Sequence, residues 1–128
     1  MMNTMPMGRG IKILIADDPA DWMQSFIEDL HKSSVDAFLA ASEQQGFEII
    51  RREHVDLAVI AGDNPRVGGL ELVRRVHWYS AEVPVIVLGG EMNLRWLQDA
   101  LRIGVRTILP RPVNAGRLLD TCVKILGV

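Results

Sequence analysis

Short apolar runs rich in Val and Ile alternate with longer amphipathic stretches along this chain. The runs are IKILIA (11–16), VDAFLA (35–40), VDLAVIA (55–61), VPVIVL (83–88) and VRTIL (105–109). Near-continuous apolarity predicts strands covered on both faces, as in a parallel sheet. Between them the spacing predicts helices. Residues 19–31 place Met23, Phe26, Ile27 and Leu30 on one stripe, and 42–53 offer Ser42 as a cap with Phe47 and Ile50 inward. Residues 69–79 carry Leu70, Val73 and Val76 or His77; 93–103 carry Leu94, Leu97 and Leu101; 115–126 carry Leu118, Leu119, Cys122 and Leu126. Five strand–helix alternations predict a doubly wound α/β fold, a three-layer sandwich.

In such sheets ligands sit beyond the carboxyl ends of the strands. The residues following each run therefore matter. Ala16-Asp17-Asp18-Pro19 follows the first, Ala61-Gly62-Asp63-Asn64-Pro65 the third, Gly89-Gly90 the fourth and Pro110-Arg111-Pro112 the fifth. Adjacent carboxylates can hold a hard cation such as Mg²⁺ through oxygen ligands. Asp18 followed by Pro19 also suits a helix N-cap with proline in the first turn. Asp21 adds a third acid nearby, and this acidity disfavours a phosphate pocket, which needs amides or cations. Arg111, flanked by prolines, can clamp an anion or pair with Asp17 or Asp18. Gly89-Gly90 reads as a turn.

Length and composition narrow the picture. The 128 residues suffice for one core, and 48% hydrophobic with 23% charged residues predicts a soluble globular domain. A formal net charge of −2 argues against a nucleic-acid partner. The one cysteine, Cys122, fits a reducing cytoplasm. No apolar run approaches the roughly 20 residues of a membrane span, so no membrane association is expected. MMNTMPMGRG does not read as a signal peptide; residues 1–10 read as a flexible tail before a domain over 11–128. His31, His54 and His77 show no metal-ligand spacing, and Trp22 and the Trp78-Tyr79 pair read as core-edge residues.

ILIADDPADW, VDLAVIAGDNPRVGGLELVRRV, VPVIVLGG and ALRIGVRTILPRPV together resemble the response-regulator receiver domain, the phosphoacceptor module of two-component phosphorelay signalling, from about Ile11 to the end. The resemblance implies a flavodoxin-like, CheY-like sandwich with strand order 2-1-3-4-5. It also implies a five-part site. The acidic pair that binds Mg²⁺ falls on Asp17 and Asp18. The phosphoacceptor aspartate, four residues before a proline, falls on Ala61. The hydroxyl residue ending the fourth strand falls on Gly89. The lysine falls on Arg111, before a proline whose peptide bond is implied to be cis. The switching aromatic falls on Ile108.

The chain is thus expected to be a degenerate pseudo-receiver without enzymatic activity. It lacks the acceptor, and Mg²⁺ binding at Asp17 and Asp18 should be weak or absent, so no cofactor is expected. Output then requires protein–protein interaction with a partner in trans or a second copy. The resemblance places that face on the last two helices and fifth strand, at Trp96, Ile108, Leu119 and Val123. Two alternatives stay open. Asp63, at most roughly 7 Å along the chain from Ala61, could serve as a shifted acceptor with Mg²⁺; or Ala61 and Gly89-Gly90 could leave room for a small ligand.

Overall fold

A computed structural model describes residues 10–89 and 93–128. The expected tail, apart from Gly10, and Gly90 of the double glycine lie outside the described residues. Five strands, β1 (Ile11–Ala16), β2 (Val35–Ala40), β3 (Leu57–Ala61), β4 (Val85–Gly89) and β5 (Thr107–Pro110), form one parallel sheet in the order β2-β1-β3-β4-β5. Five helices cover it: α1 (Asp21–Lys32), α2 (Glu43–Glu53), α3 (Leu70–Tyr79), α4 (Leu94–Arg102) and α5 (Ala115–Leu126). A 3-10 turn, Pro65–Val67, leads into α3.

Every residue of β3 and β4 is buried, which explains their unbroken apolarity. The alternation of side chains along each strand divides the core in two. Leu14, Ala58, Ile60 and Val87 pack with α2, α3 and α4 on one face. Ile13, Ile15, Val59 and Leu88 pack with α1 and α5 on the other. Phe26 of α1 and Leu118 of α5 are fully buried there. Ser42 caps α2 as expected, its hydroxyl accepting the Gln45 N–H at 3.1 Å.

Three local expectations are corrected. Helix α1 begins at Asp21 with Ala20 as N-cap and no side-chain cap, so Asp18 is not the capping residue. Trp78 is 84% exposed and Tyr79 is also exposed, so the pair is not core-edge. Tyr79 stands edge-on to Phe47, whose ring lies under the Arg75 guanidinium. The third correction concerns the phase of α4. Its inward side is Trp96, Ala100 and, just past its end, Ile103. Leu94 and Leu101, expected on the packing stripe, are 70% and 61% exposed. His77 is half-buried, with Nδ1 at 2.8 Å from the Ile103 carbonyl and Nε2 at 3.2 Å from that of Val83, tying α3 to two neighbouring loops. Among the described residues no helix is long and apolar enough to cross a membrane.

The α4 phase is open to a direct test. Ala100→Leu should overpack the core and lower stability by about 1–3 kcal/mol. Leu101→Ser should stay within about 0.5 kcal/mol of the parent in urea unfolding. Reversed effects would put Leu101 inside. Cys122 gives a second test. Burial pushes its thiol up to about 12 from 9.0. A folded value above the unfolded one gives stability that is complete below about pH 9 and lost as pH rises toward 12. The urea midpoint of the parent should therefore fall more steeply above pH 9 than that of Cys122→Ala; parallel curves would contradict the burial.

Candidate functional site

The parallel sheet brings the carboxyl ends of β1, β3, β4 and β5 to one edge, so residues distant in sequence meet there. Asp17 follows β1, Gly62, Asp63 and Asn64 follow β3, and Arg111 follows β5. The Arg111 N–H donates to the Gly89 carbonyl at the tip of β4, 2.9 Å, and the Arg111–Pro112 bond is cis. The hydrogen bond holds the Arg111 backbone beside β4, and the side chain reaches Asp63 and Asp17 across the sheet edge.

The guanidinium of Arg111 occupies the centre of the site. Its Nε and Nη2 donate to the two carboxylate oxygens of Asp63 at 2.9 and 3.0 Å, a bidentate fork. The same Nη2 donates to Asp17 Oδ2 at 3.0 Å. The Asp17 side chain is only 5% exposed, against 30% for Arg111. The other Asp17 oxygen accepts from the Asp18 N–H at 2.8 Å and from Asn64 Nδ2 at 3.1 Å. Asn64 uses both ends of its amide, because its Oδ1 accepts the Arg66 N–H and starts the 3-10 turn. Arg66 in turn reaches Asp18 at 3.2 Å. The Asp63 hydrogen bonds, with Asp17 adding to them, push the Arg111 guanidinium above its ordinary value despite partial desolvation.

Asp17, Asp63 and Arg111 are thus brought together as a unit, with Asp18 at its border. Pairing of Arg111 with Asp17 was expected; the stronger fork to Asp63 was not. Arg66 is a second cation at this edge, and neither it nor Asn64 is among the site candidates the sequence offers. Their only sequence signal is membership of the loop after β3, since loop residues commonly carry function. Three carboxylates meet two guanidinium groups, leaving one formal negative charge.

This arrangement does not fit Mg²⁺, which demands near-octahedral oxygen ligation. The Asp17 and Asp63 oxygens already accept from cations or amides. Among the described residues no three acidic, His or Cys side chains are grouped to hold a metal ion. The methyl of Ala61, fully buried between β1 and β4, supplies no further oxygen.

A model of the response regulator receiver domain matches residues 13–122. The chain belongs to that family. This receiver domain is 26% identical over 115 residues to sporulation initiation phosphotransferase F of Bacillus subtilis, covering 90% of the chain and 93% of that protein. It is 29% identical over 109 residues to response regulator protein PilR of Pseudomonas aeruginosa, covering 85% of the chain but 24% of that longer protein. The crystal structure of a CheY-like receiver domain protein from Methanospirillum hungatei superposes with a TM-score of 0.83 at 25% identity, covering 92% of this chain and 94% of that one. The receiver fold and strand order are therefore those expected.

Of the residues expected on an interaction face, Val123 is exposed. Trp96 and Ile108 are half-buried against the α2–α3–α4 core, and Leu119 against the α1–α5 core. The exposed apolar residues of α4 are Leu94 and Leu101.

Arg111→Ala leaves Asp17 nearly buried without its cation and should cost about 2 kcal/mol. Arg111→Lys should recover part of this, because a point charge cannot reproduce the fork. The guanidinium lies above its ordinary value, so its contribution is complete at every pH below that ordinary value and is lost only as pH rises through the raised one. The alanine variant should lose as much at pH 7 as at pH 10 in urea unfolding. An unchanged midpoint would mean the ion pairs contribute nothing.

Proposed function

We propose that this receiver domain signals without accepting a phosphoryl group, through phosphorylation-independent binding to a protein partner in trans or to a second copy of itself. The observation that carries this reading is Ala61: the tip of β3, where the resemblance places the acceptor, holds a buried methyl group. A methyl group cannot attack a phosphodonor. Gly89 at the tip of β4 has no hydroxyl to offer a phosphoryl oxygen, and Ile108 has no aromatic ring to swing. Arg111 occupies oxygens of Asp17 and Asp63 that would otherwise be open to a cation, so neither Mg²⁺ nor catalysis belongs to this reading.

The docking surface in this reading is the face of α4, β5 and α5. Leu94 and Leu101 supply its exposed apolar side chains and Trp96 and Ile108 pack beneath, whereas Leu119 and Val123 line a cavity with Ile11, Leu30 and Val35 on the α1 side of α5. A net charge of −2 disfavours nucleic acid as the partner. The lone, buried cysteine suits a reducing compartment such as the cytoplasm.

The chemical alternative uses Asp63. Proximity to Ala61 favours it, but both Asp63 oxygens accept from the Arg111 guanidinium, which lowers their nucleophilicity and blocks approach. The small-ligand alternative loses room beside Ala61, because the Trp96 ring rests against Gly62. Intact mass after incubation with acetyl phosphate and Mg²⁺ tests the reading. No added phosphate is expected on the parent or on Asp63→Asn. A phosphate on the parent that disappears in Asp63→Asn would overturn the proposal and make Asp63 the acceptor.

A further inference from the structure

Gly62, the residue after Ala61, lies under an indole ring. A Cβ added at Gly62 would stand 2.7 Å from Trp96 Cζ2 and 2.6 Å from Val87 Cγ1, closer than carbon atoms approach. The ring of Trp96 therefore reaches from α4 to the backbone of the strand tip and needs a residue without a side chain beneath it. Its own backbone is fixed as well. Asn93 caps α4 by accepting the Trp96 N–H at 2.8 Å, and Ala100, one turn further on, is fully buried. Trp96 is the strut that sets α4's phase and turns Leu94 and Leu101 outward.

The next two residues tie the same short segment to the ion-paired site. Asp63 takes the Arg111 fork, and Asn64 donates to Asp17. The Gly62 N–H donates to the Leu88 carbonyl at 2.7 Å, and Gly69 approaches the Gly62 carbonyl so closely that a Cβ there would lie 2.8 Å from it. Residues 62–64 are thus held by β4, by α3's start, by Arg111 and by Asp17, and they form the floor on which Trp96 rests. A shift of this segment cannot leave the indole in place, because close-packed contacts transmit displacement.

We propose that Trp96 couples the ion-paired strand tip to α4, so that release of the Asp63–Arg111 clamp is felt as loosening of the helix that carries Leu94 and Leu101. This supplies a route from the site to the surface that uses neither a hydroxyl at Gly89 nor an aromatic at Ile108. It deepens the reading above, in which α4 is part of the docking face, by naming what regulates that face. Any ligand or partner that competes for Arg111 or Asp63 would act on α4 through this contact.

Amide hydrogen exchange of the intact chain tests the coupling. Asp63→Asn should speed exchange in α4 by about three- to tenfold, the range of a local opening, while Phe26 and the centre of β3 keep parental protection. Trp96→Leu, which keeps an apolar side chain but leaves the Gly62 floor, should speed α4 on its own, and adding Asp63→Asn should then change nothing further. Gly62→Ala, which disturbs the contact from the floor side, should reproduce both results. Unchanged α4 exchange in Asp63→Asn would overturn the proposal. So would an Asp63→Asn effect of equal size with and without Trp96. No phosphodonor or partner is present in this experiment, so its failure leaves the phosphate-independent reading standing, and phosphate uptake in the separate mass measurement would overturn that reading without deciding the coupling.

Discussion

Two acidic loops at one sheet edge require a countercharge, and the rest of the site is arranged around the side chain that supplies it. Parallel topology forces the ends of β1 and β3 together whatever residues they carry. Asp17 is nearly buried, and a buried carboxylate without a partner is costly. Arg111 answers both loops with one planar group, forking to Asp63 and reaching Asp17 with the same nitrogen. Lysine could not do this, because its ammonium is a single point of charge. Arg66 and Asn64 complete the closure by engaging Asp18 and the remaining Asp17 oxygen.

Beside this closed electrostatic pocket the strand tips carry a methyl group and glycines. The methyl of Ala61 belongs to the core, Gly62 makes space for Trp96, and Gly89 contributes its carbonyl to the Arg111 backbone. A receiver arranged this way has a fixed internal structure at the edge where its family carries chemistry. Among the described residues, Leu94 and Leu101 of α4 and Val123 of α5 are large apolar side chains left exposed.

Much of this was legible in the sequence because burial on both faces leaves a simple trace. IKILIA and VDAFLA coincide with β1 and β2 to the residue, and Ser42 announced α2. Helix α4 was harder. Leu94, Leu97 and Leu101 recur at helical spacing as well as Trp96, Ala100 and Ile103 do, and hydrophobicity alone chose the stronger leucine stripe. The space over Gly62 decides otherwise, and that space depends on β3 and β4 being neighbours. Asp18-Pro19 carried a good capping pattern, but Asp18 pairs with Arg66, 48 residues away. The Asp63–Arg111 fork likewise spans 48 residues, and only the convergence of strand ends hinted at it.

The proposed reading requires Arg111, and not a metal ion, to balance the acids at this edge. A Mg²⁺ titration followed at the backbone amides of Asp17, Asp18 and Asp63 tests it most directly. The account predicts no saturable shift at these amides into the millimolar range, with only weak, salt-like changes that NaCl reproduces at equal ionic strength. A saturable, Mg²⁺-specific shift centred on Asp17 and Asp18 would contradict it, since it would show that the acids still hold a cation with Arg111 in place.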